Sequence, residues 1–330
     1  MVENGQSHTK VESTTETTST STSQESTNDP FYRLSFKVGV AENKNGTFRN
    51  KMEDVHTYIA NFAEMIDWGY FAIFDGHAGK DTARWCGNNL HTLLEHEIDL
   101  ELNKSLFKSF IKADELIEKE GVGSSGSTAA VAVLRWELHD DQGIDISSTS
   151  SNSKNPQYEF IPTKNHKRML YTSNVGDSRI VLCRGGQPYR LSYDHKATDI
   201  NEINRIKESN GLIMKNRVNG VLAVTRSLGD SYMKDLVIGK PFTTSTEITD
   251  SDDFIILACD GVWDVISDLR ACNFVLEQFN KENADDPQKV AKKLCQLAMD
   301  NSTTDNVTVM IVKFDKDIFD QKEVEVELTK

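Results

Sequence analysis

Apolar side chains recur in this sequence at two different periods, and the switches between them outline the elements. Over 34–40 they alternate with polar ones at the two-residue period of a half-buried strand, and 55–60 and 69–74 share that β-rich composition. Three strands therefore precede any helix. The interval then lengthens: Leu90, Leu93 and Leu94, then Leu106, Phe107 and Phe110, repeat at helical spacing, predicting helices over 78–97 and 104–120. Gly121 and Gly123 end the second of these. Strand character returns at 128–136, at 169–174 and 178–183, and in the unbroken apolar run 254–259. Val175-Gly176-Asp177 between two of these runs reads as a hairpin with its acid near the turn. Two more helices are predicted over 267–280 and 287–299, and a last strand over 307–314.

Three stretches fall outside this patterning. Residues 1–29 are Ser, Thr, Glu and Gln with almost no large apolar side chains, too little buried surface to offset ordering entropy, so a disordered Ser/Thr-rich arm is expected. Residues 137–167 are polar and rich in turn formers and read as a surface insertion; 316–330 read as a charged tail. One domain over 30–315 accommodates the rest. Its order of strands, helices, strands, helices, strand favours an α+β layered sandwich over a doubly wound parallel sheet, in which strands and helices alternate singly.

Composition narrows the function classes. The 330 residues are 38% hydrophobic, enough for a substantial core, and no apolar run approaches the length of a membrane span. The N-terminus lacks the basic start and apolar stretch of a secretory signal, so a cytoplasmic, and also nuclear, location is expected. Five cysteines are scattered without zinc-ligand spacing, so reduced thiols are expected. A net charge of −14 works against nucleic-acid binding and suits basic partners or divalent cations.

Two segments share one design. Gly-Tyr-Phe-Ala-Ile-Phe runs into Asp75-Gly76, and Phe-Ile-Ile-Leu-Ala-Cys into Asp260-Gly261, so that in each a buried strand delivers a carboxylate to its rim. Either dipeptide alone would read as a turn. Further acids change that reading: Glu53 and Asp54, Asp177, Asp264, and Asp305 before Asn306. An all-oxygen donor set suits magnesium or manganese, whereas zinc or copper would draw on histidines or cysteines.

The sequence resembles the metal-dependent type 2C protein serine/threonine phosphatases, the PPM family, and its small fungal members most. The resemblance runs over 31–314 and is carried by seven motifs in family order. They are Arg49-x-x-Met52-Glu53-Asp54, Phe74-Asp75-Gly76-His77-Ala78-Gly79, Gly126-Ser127-Thr128-Ala129, Asn174-Val175-Gly176-Asp177-Ser178-Arg179, Leu222 to Asp230, Ala258 to Asp264, and Asp305-Asn306. It implies a four-layer α-β-β-α sandwich of two mainly antiparallel sheets flanked by helices, with a two-metal centre at one end. Asp54, Asp75, the Gly76 carbonyl, Asp260 and Asp305 would hold two magnesium or manganese ions, with Glu53 adjacent, bonding through a bound water. Asp177 and Asp264 match positions linked to a weaker third ion. Paired cations make hydroxide available near neutral pH, which would attack phosphorus directly. Arg49 would then grip the phosphate and His77 protonate the departing serine or threonine oxygen.

Competing readings fare worse. Gly121 to Gly126 fits the dinucleotide fingerprint but follows a helix and leads into a strand, the reverse of the required order. No cysteine opens a Cys-x5-Arg loop, and Cys259 sits inside an apolar run. A catalytically silent binding member would have lost a metal aspartate, and none is lost; a two-metal nuclease would carry a basic aromatic track. Departures from the family pattern, Ala197 after Lys196 where many relatives carry proline and the 137–167 insertion, put substrate choice in doubt. Residues 195–221 match the family's variable flap, where docking determinants are expected. The resemblance implies phosphoprotein substrates, with MAP kinases of stress-signalling pathways as the leading expectation for a fungal-type member; the chain is expected to be a monomer.

Overall fold

A computed structural model describes residues 31–98, 101–139, 158–281 and 285–320; the arm expected over 1–29 lies outside them, as do 140–157 of the insertion and 321–330 of the tail. Fifteen strands occur in the described residues: β1 (Phe36–Asn43), β2 (Val55–Ala60), β3 (Gly69–Phe74), β4 (Gly76–His77), β5 (Gly126–Ser127), β6 (Ala129–Leu138), β7 (His166–Val175), β8 (Arg179–Arg184), β9 (Gln187–Arg190), β10 (Ile213–Met214), β11 (Arg217–Val218), β12 (Leu228–Gly229), β13 (Phe242–Ile248), β14 (Asp252–Ala258) and β15 (Val307–Phe314). The helices are α1 (Asp81–Glu97), α2 (Leu102–Lys119), α3 (Ile200–Glu208), α4 (Asp260–Trp263), α5 (Asp268–Lys281) and α6 (Pro287–Asp300).

Two five-stranded sheets, β1-β15-β14-β8-β9 and β13-β7-β6-β3-β2, are antiparallel throughout. Side chains alternate across each strand, so a strand covered on both faces must be apolar at nearly every position. In β3, Phe71 and Ile73 point into the core between the sheets, while Tyr70, Ala72 and Phe74 point at α1 and α2. In β14, Ile255 and Leu257 face the intersheet core, and Phe254, Ile256 and Ala258 face α5 and α6. The helices answer with apolar stripes, Ala83, Cys86, Leu90 and Leu94 on α1 and Val290, Leu294 and Ala298 on α6. The layers are therefore α-β-β-α, as the resemblance implied. Each leucine or phenylalanine buried this way stabilises the fold by roughly 1.5–3 kcal/mol, which the strand rims draw on.

Three expectations are corrected. The stretch around Val175-Gly176-Asp177 is not a hairpin: β7 pairs with β6 and β13 in one sheet, β8 with β14 and β9 in the other, so the turn carries the chain between the layers. Helix α1 starts at Asp81 rather than 78, because Ala78 and Gly79 have φ of 56° and 126°, outside the helical region. The insertion read over 137–167 is narrower, since β6 runs to Leu138 and β7 starts at His166, and its Tyr158 and Phe160 pack against Trp136 and Ile318. That cluster also anchors the start of the tail. The flap region holds α3, capped by Asp199 accepting from the Asn201 and Glu202 N–H groups, and the short β10–β11 hairpin.

Candidate metal centre

The acids lie just beyond the ends of apolar strands. Asp54 immediately precedes β2 and Asp75 follows β3, and Asp260 opens α4 just past β14. Asp305 stands two residues before β15, and Asp177 lies in the crossover from β7 to β8. One carboxylate oxygen from each of Asp75, Asp177 and Asp260 lies within 4.8 Å of the others. The Asp75 main chain is fixed by its carbonyl, which accepts from the Thr128 N–H at 2.9 Å. Gly76 comes next; a Cβ there would meet the Glu53 carbonyl oxygen at 2.6 Å, so the close approach of these two segments requires glycine.

Asp54 is buried, accepts from the Thr308 hydroxyl at 2.6 Å through Oδ2, and its Oδ1 has no hydrogen-bond partner among the described residues. Burial pushes its carboxyl up to about 6, against the hydrogen bonds from Thr308 and Cys259. Burial first, and then the crowding of Asp54, Asp260 and Asp177, holds the Asp75 carboxyl well above its ordinary range. Asp260 is raised for the same reasons, burial and then Asp177 and Asp305. Like charges gathered out of water cost free energy unless a cation joins them. These residues fit a divalent metal: Asp75, Asp177 and Asp260 gather hard carboxylate oxygens, and the buried Asp54 Oδ1 is unpartnered among the described residues.

Two basic side chains reach the rim. The Arg49 guanidinium pairs with the Asp305 carboxylate, and its Nε donates to the Thr304 carbonyl at 3.2 Å. Lys196 Nζ lies 2.7 Å from Asp264 and 3.4 Å from Asp177. Burial would lower the Lys196 ammonium, but Asp177 and Asp264 outweigh it and raise it. Asp264 is more than half exposed and is joined to Asp177 through this lysine. Glu53 donates its main-chain N–H to Asn306 Oδ1 at 2.9 Å, which sets it beside Asp54. His77 is a quarter exposed, its Nε2 2.7 Å from Asp230 Oδ2.

Sequence reasoning gave no role to Lys196, Asn306, Thr308 or Asp230. Asn306 is the most connected: its amide also donates to the Lys44 and Lys51 carbonyls at 2.8 and 3.0 Å, stapling the loop before β2 to the β15 end. Asn306 and Asp230 stood in recognised motifs, but nothing in a linear sequence says which distant group an amide or acid will meet.

The fold is thus an antiparallel sandwich with helices on both outer faces that gathers a carboxylate cluster suited to divalent metal beyond its strand ends. The family model for Protein phosphatase 2C matches residues 38–138 and 160–307, and the chain belongs to that family. It is 53% identical to Protein phosphatase 2C homolog 1 of Saccharomyces cerevisiae over 85% of this chain and 94% of the relative. To Protein phosphatase 2C homolog 1 of Schizosaccharomyces pombe it is 40% identical, over 83% and 72%. Mouse Protein phosphatase 1B is 32% identical, over 81% and 68%. Two solved structures share the fold. A Caenorhabditis elegans sex determining protein has a TM-score of 0.68 at 24% identity, covering 87% of this chain and 67% of that one. A Toxoplasma gondii phosphatase has 0.68 at 22%, covering 86% and 94%. The protein is a serine/threonine protein phosphatase.

Proposed function

We propose that this centre hydrolyses phosphoserine and phosphothreonine esters of proteins by direct transfer of the phosphoryl group to water, with magnesium or manganese bound by the acids. The observation that carries the proposal is the convergence of Asp75, Asp177 and Asp260 oxygens within 4.8 Å, beside the unpartnered Oδ1 of Asp54. Asp54, Asp75, the Gly76 carbonyl, Asp260 and Asp305 would hold two ions, with Glu53 beside them, and Asp177 and Asp264 a weaker third in competition with Lys196. When bound, the ions make hydroxide available near neutral pH and offset charge developing on the phosphate. Arg49 turns from Asp305 to the phosphate oxygens, which its planar fork matches as well as it does a carboxylate. His77 gives a proton to the serine or threonine oxygen as its bond to phosphorus breaks. Cys259, beside the centre, forms no phosphoenzyme: burial, then the nearby Asp54 and Asp75 carboxylates, raise its thiol well above its ordinary value.

The substrate segment would lie along the flap, where Leu212, Met214 and Val221 are exposed beside Lys215 and Arg217. The resemblance to fungal members makes threonine-phosphorylated MAP kinases of stress pathways the leading substrates. Five free cysteines, all buried, suit a reducing cytoplasm or nucleus. The chain acts as a monomer, which sedimentation would test.

Phosphate release from a phosphothreonine peptide with manganese, magnesium or EDTA tests the chemistry, comparing the protein with Asp75→Asn and Asp260→Asn. Metal-dependent release that both substitutions abolish supports it. No release from folded, manganese-loaded protein would instead favour a silent phosphoprotein-binding role. A pull-down with Asp75→Asn that recovers no kinase would remove the MAP kinase assignment alone.

A further inference from the structure

A three-stranded sheet of two-residue strands, β12-β5-β4, stands apart from the two large sheets. Its register sets His77 opposite Gly126 and Gly126 opposite Gly229, so the residue after Gly229 arrives beside His77. That residue is Asp230, fully buried, with φ of 49° in the left-handed region. Its Oδ2 lies 2.7 Å from His77 Nε2 and also accepts from the Ser227 hydroxyl at 2.5 Å. Its N–H donates to the Ser125 carbonyl at 3.1 Å. The preceding Gly229 N–H donates at 2.9 Å to Asp114 of α2, so the turn is held from the helical layer as well. Gly126 lies between the acid and the ring. A Cβ there would fall 2.0 Å from Asp230 Oδ2 and 2.2 Å from His77 Nε2, a collision with both partners at once. A left-handed aspartate and a glycine with no room for a methyl group are two local costs that serve one contact.

The two nitrogens of an imidazole are distinct, and the bond made by one fixes what the other can do. A buried carboxylate at Nε2 accepts a hydrogen bond from the Nε2–H, holds the ring plane, and leaves Nδ1 as the nitrogen available for proton transfer. We propose that Asp230 is a positioning residue for the phosphatase reaction: it locks His77 so that Nδ1 carries the proton given to the departing serine or threonine oxygen. This rests on the reading of His77 as the proton donor. As the phosphorus–oxygen bond breaks, the ester oxygen takes the Nδ1 proton and leaves as the hydroxyl. The neutral ring keeps its Nε2–H on Asp230 and is reprotonated from water.

Leaving groups separate this role from a structural one. A threonine oxygen needs a proton to leave, whereas p-nitrophenolate does not. Asp230→Ala and Asp230→Asn are assayed on a phosphothreonine peptide and on p-nitrophenyl phosphate, with His77→Ala and His77→Ala/Asp230→Asn alongside, each checked for folding by thermal melting. Asp230→Asn, nearly the same shape, decides the question if the alanine variant does not fold. The expected result is a loss of about 10²-fold in kcat on the peptide and only a few-fold on the aryl ester, with KM little changed. The double variant is expected to lose no more than His77→Ala. Equal losses on both esters, or losses that multiply in the double variant, would overturn the assignment of Asp230 while leaving His77 as the donor. If His77→Ala itself loses equally on both esters, the proton-donor reading fails, and this inference with it.

Discussion

Replacing Asp75 with asparagine should make the metal-free protein more stable while abolishing its activity, and the gain should depend on pH in a calculable way. The Asp75 carboxyl, with an ordinary value of 3.8, is raised well above it by burial and by Asp54, Asp260 and Asp177. A carboxyl raised in this way takes up a proton on folding. Its stabilising contribution is largest below the unfolded value and falls as pH rises toward the folded one. For one proton the slope is about 1.4 kcal/mol per pH unit, so Asp75→Asn should gain steadily on the parent at up to that rate as pH rises from the ordinary carboxyl value toward the raised one. Like charges at this spacing repel by about 3 kcal/mol per pair at an effective dielectric of about 20, so the crowding is large enough to produce that uptake. The assay is urea unfolding in EDTA at several pH values, with the difference between the two proteins cancelling titrations elsewhere. Adding manganese should invert the order, stabilising the parent strongly and the variant little. A difference independent of pH, or a variant less stable than the parent in EDTA near pH 8, would refute like-charge crowding as the character of this centre.

Glu202 is the opposite case. Burial would raise its carboxyl, but hydrogen bonds from Arg226, Thr225 and Arg205 and the charge of Arg226 bring it down to about 2. That contribution is complete above the unfolded value of 4.5 and lost as pH falls toward about 2. Glu202→Gln should therefore cost about 3 kcal/mol at neutral pH, with the gap from the parent closing between roughly pH 4.5 and roughly pH 2 in unfolding titrations. His195 is buried and lowered to about 4, first by burial and then by Arg226, so the unfolded chain binds the extra proton below 6.5. Acid unfolding should show up to about 3 kcal/mol lost between roughly pH 6.5 and roughly pH 4, a loss absent in His195→Gln. Asn306→Ala breaks the staple to Lys44, Lys51 and Glu53 without touching an acid of the cluster. Its manganese half-saturation, read by calorimetry, should rise about 10-fold or more, and an unchanged value would deny Asn306 its supporting role.

The elements of the sandwich were legible because their strands are covered on both faces. Runs such as 254–259 and 307–314 have no other use for so many apolar side chains, and β14 and β15 lie where they were read. What failed was pairing. Val175-Gly176-Asp177 carries the same turn signal whether the chain folds back in one sheet or passes to the next, and only the partners of β7 and β8 distinguish the two. The two-residue strands β4, β5 and β12 are too short to have a period, so the sheet that brings His77 to Asp230 left no trace in the hydrophobic pattern. The acids could be read as a group from their type and from the strands leading to them. Their basic neighbours could not, since Arg49 on Asp305 and Lys196 between Asp177 and Asp264 join segments 256, 19 and 68 residues apart.

Those neighbours also bear on how an acidic cluster survives folding without metal. Arg49 covers Asp305, and Lys196 covers Asp177 and Asp264, so part of the excess charge is met from within the chain. Asp54, Asp75 and Asp260 form no ion pair with a basic side chain among the described residues, and the deficit is concentrated on them. Each of the three is fixed by an element that could not move without opening the core. Phe74 and Cys259, just before Asp75 and Asp260, are buried, and Asp54 is held through Thr308 of β15. Rigid sheets thus keep together carboxylates that would separate in a loop, and the repulsion stored there becomes binding free energy for a cation. Of the acids whose charge is already met, Asp305 and Asp264 are the more exposed and lie beside side chains that can swing away, whereas Asp177 is buried and converges with Asp75 and Asp260.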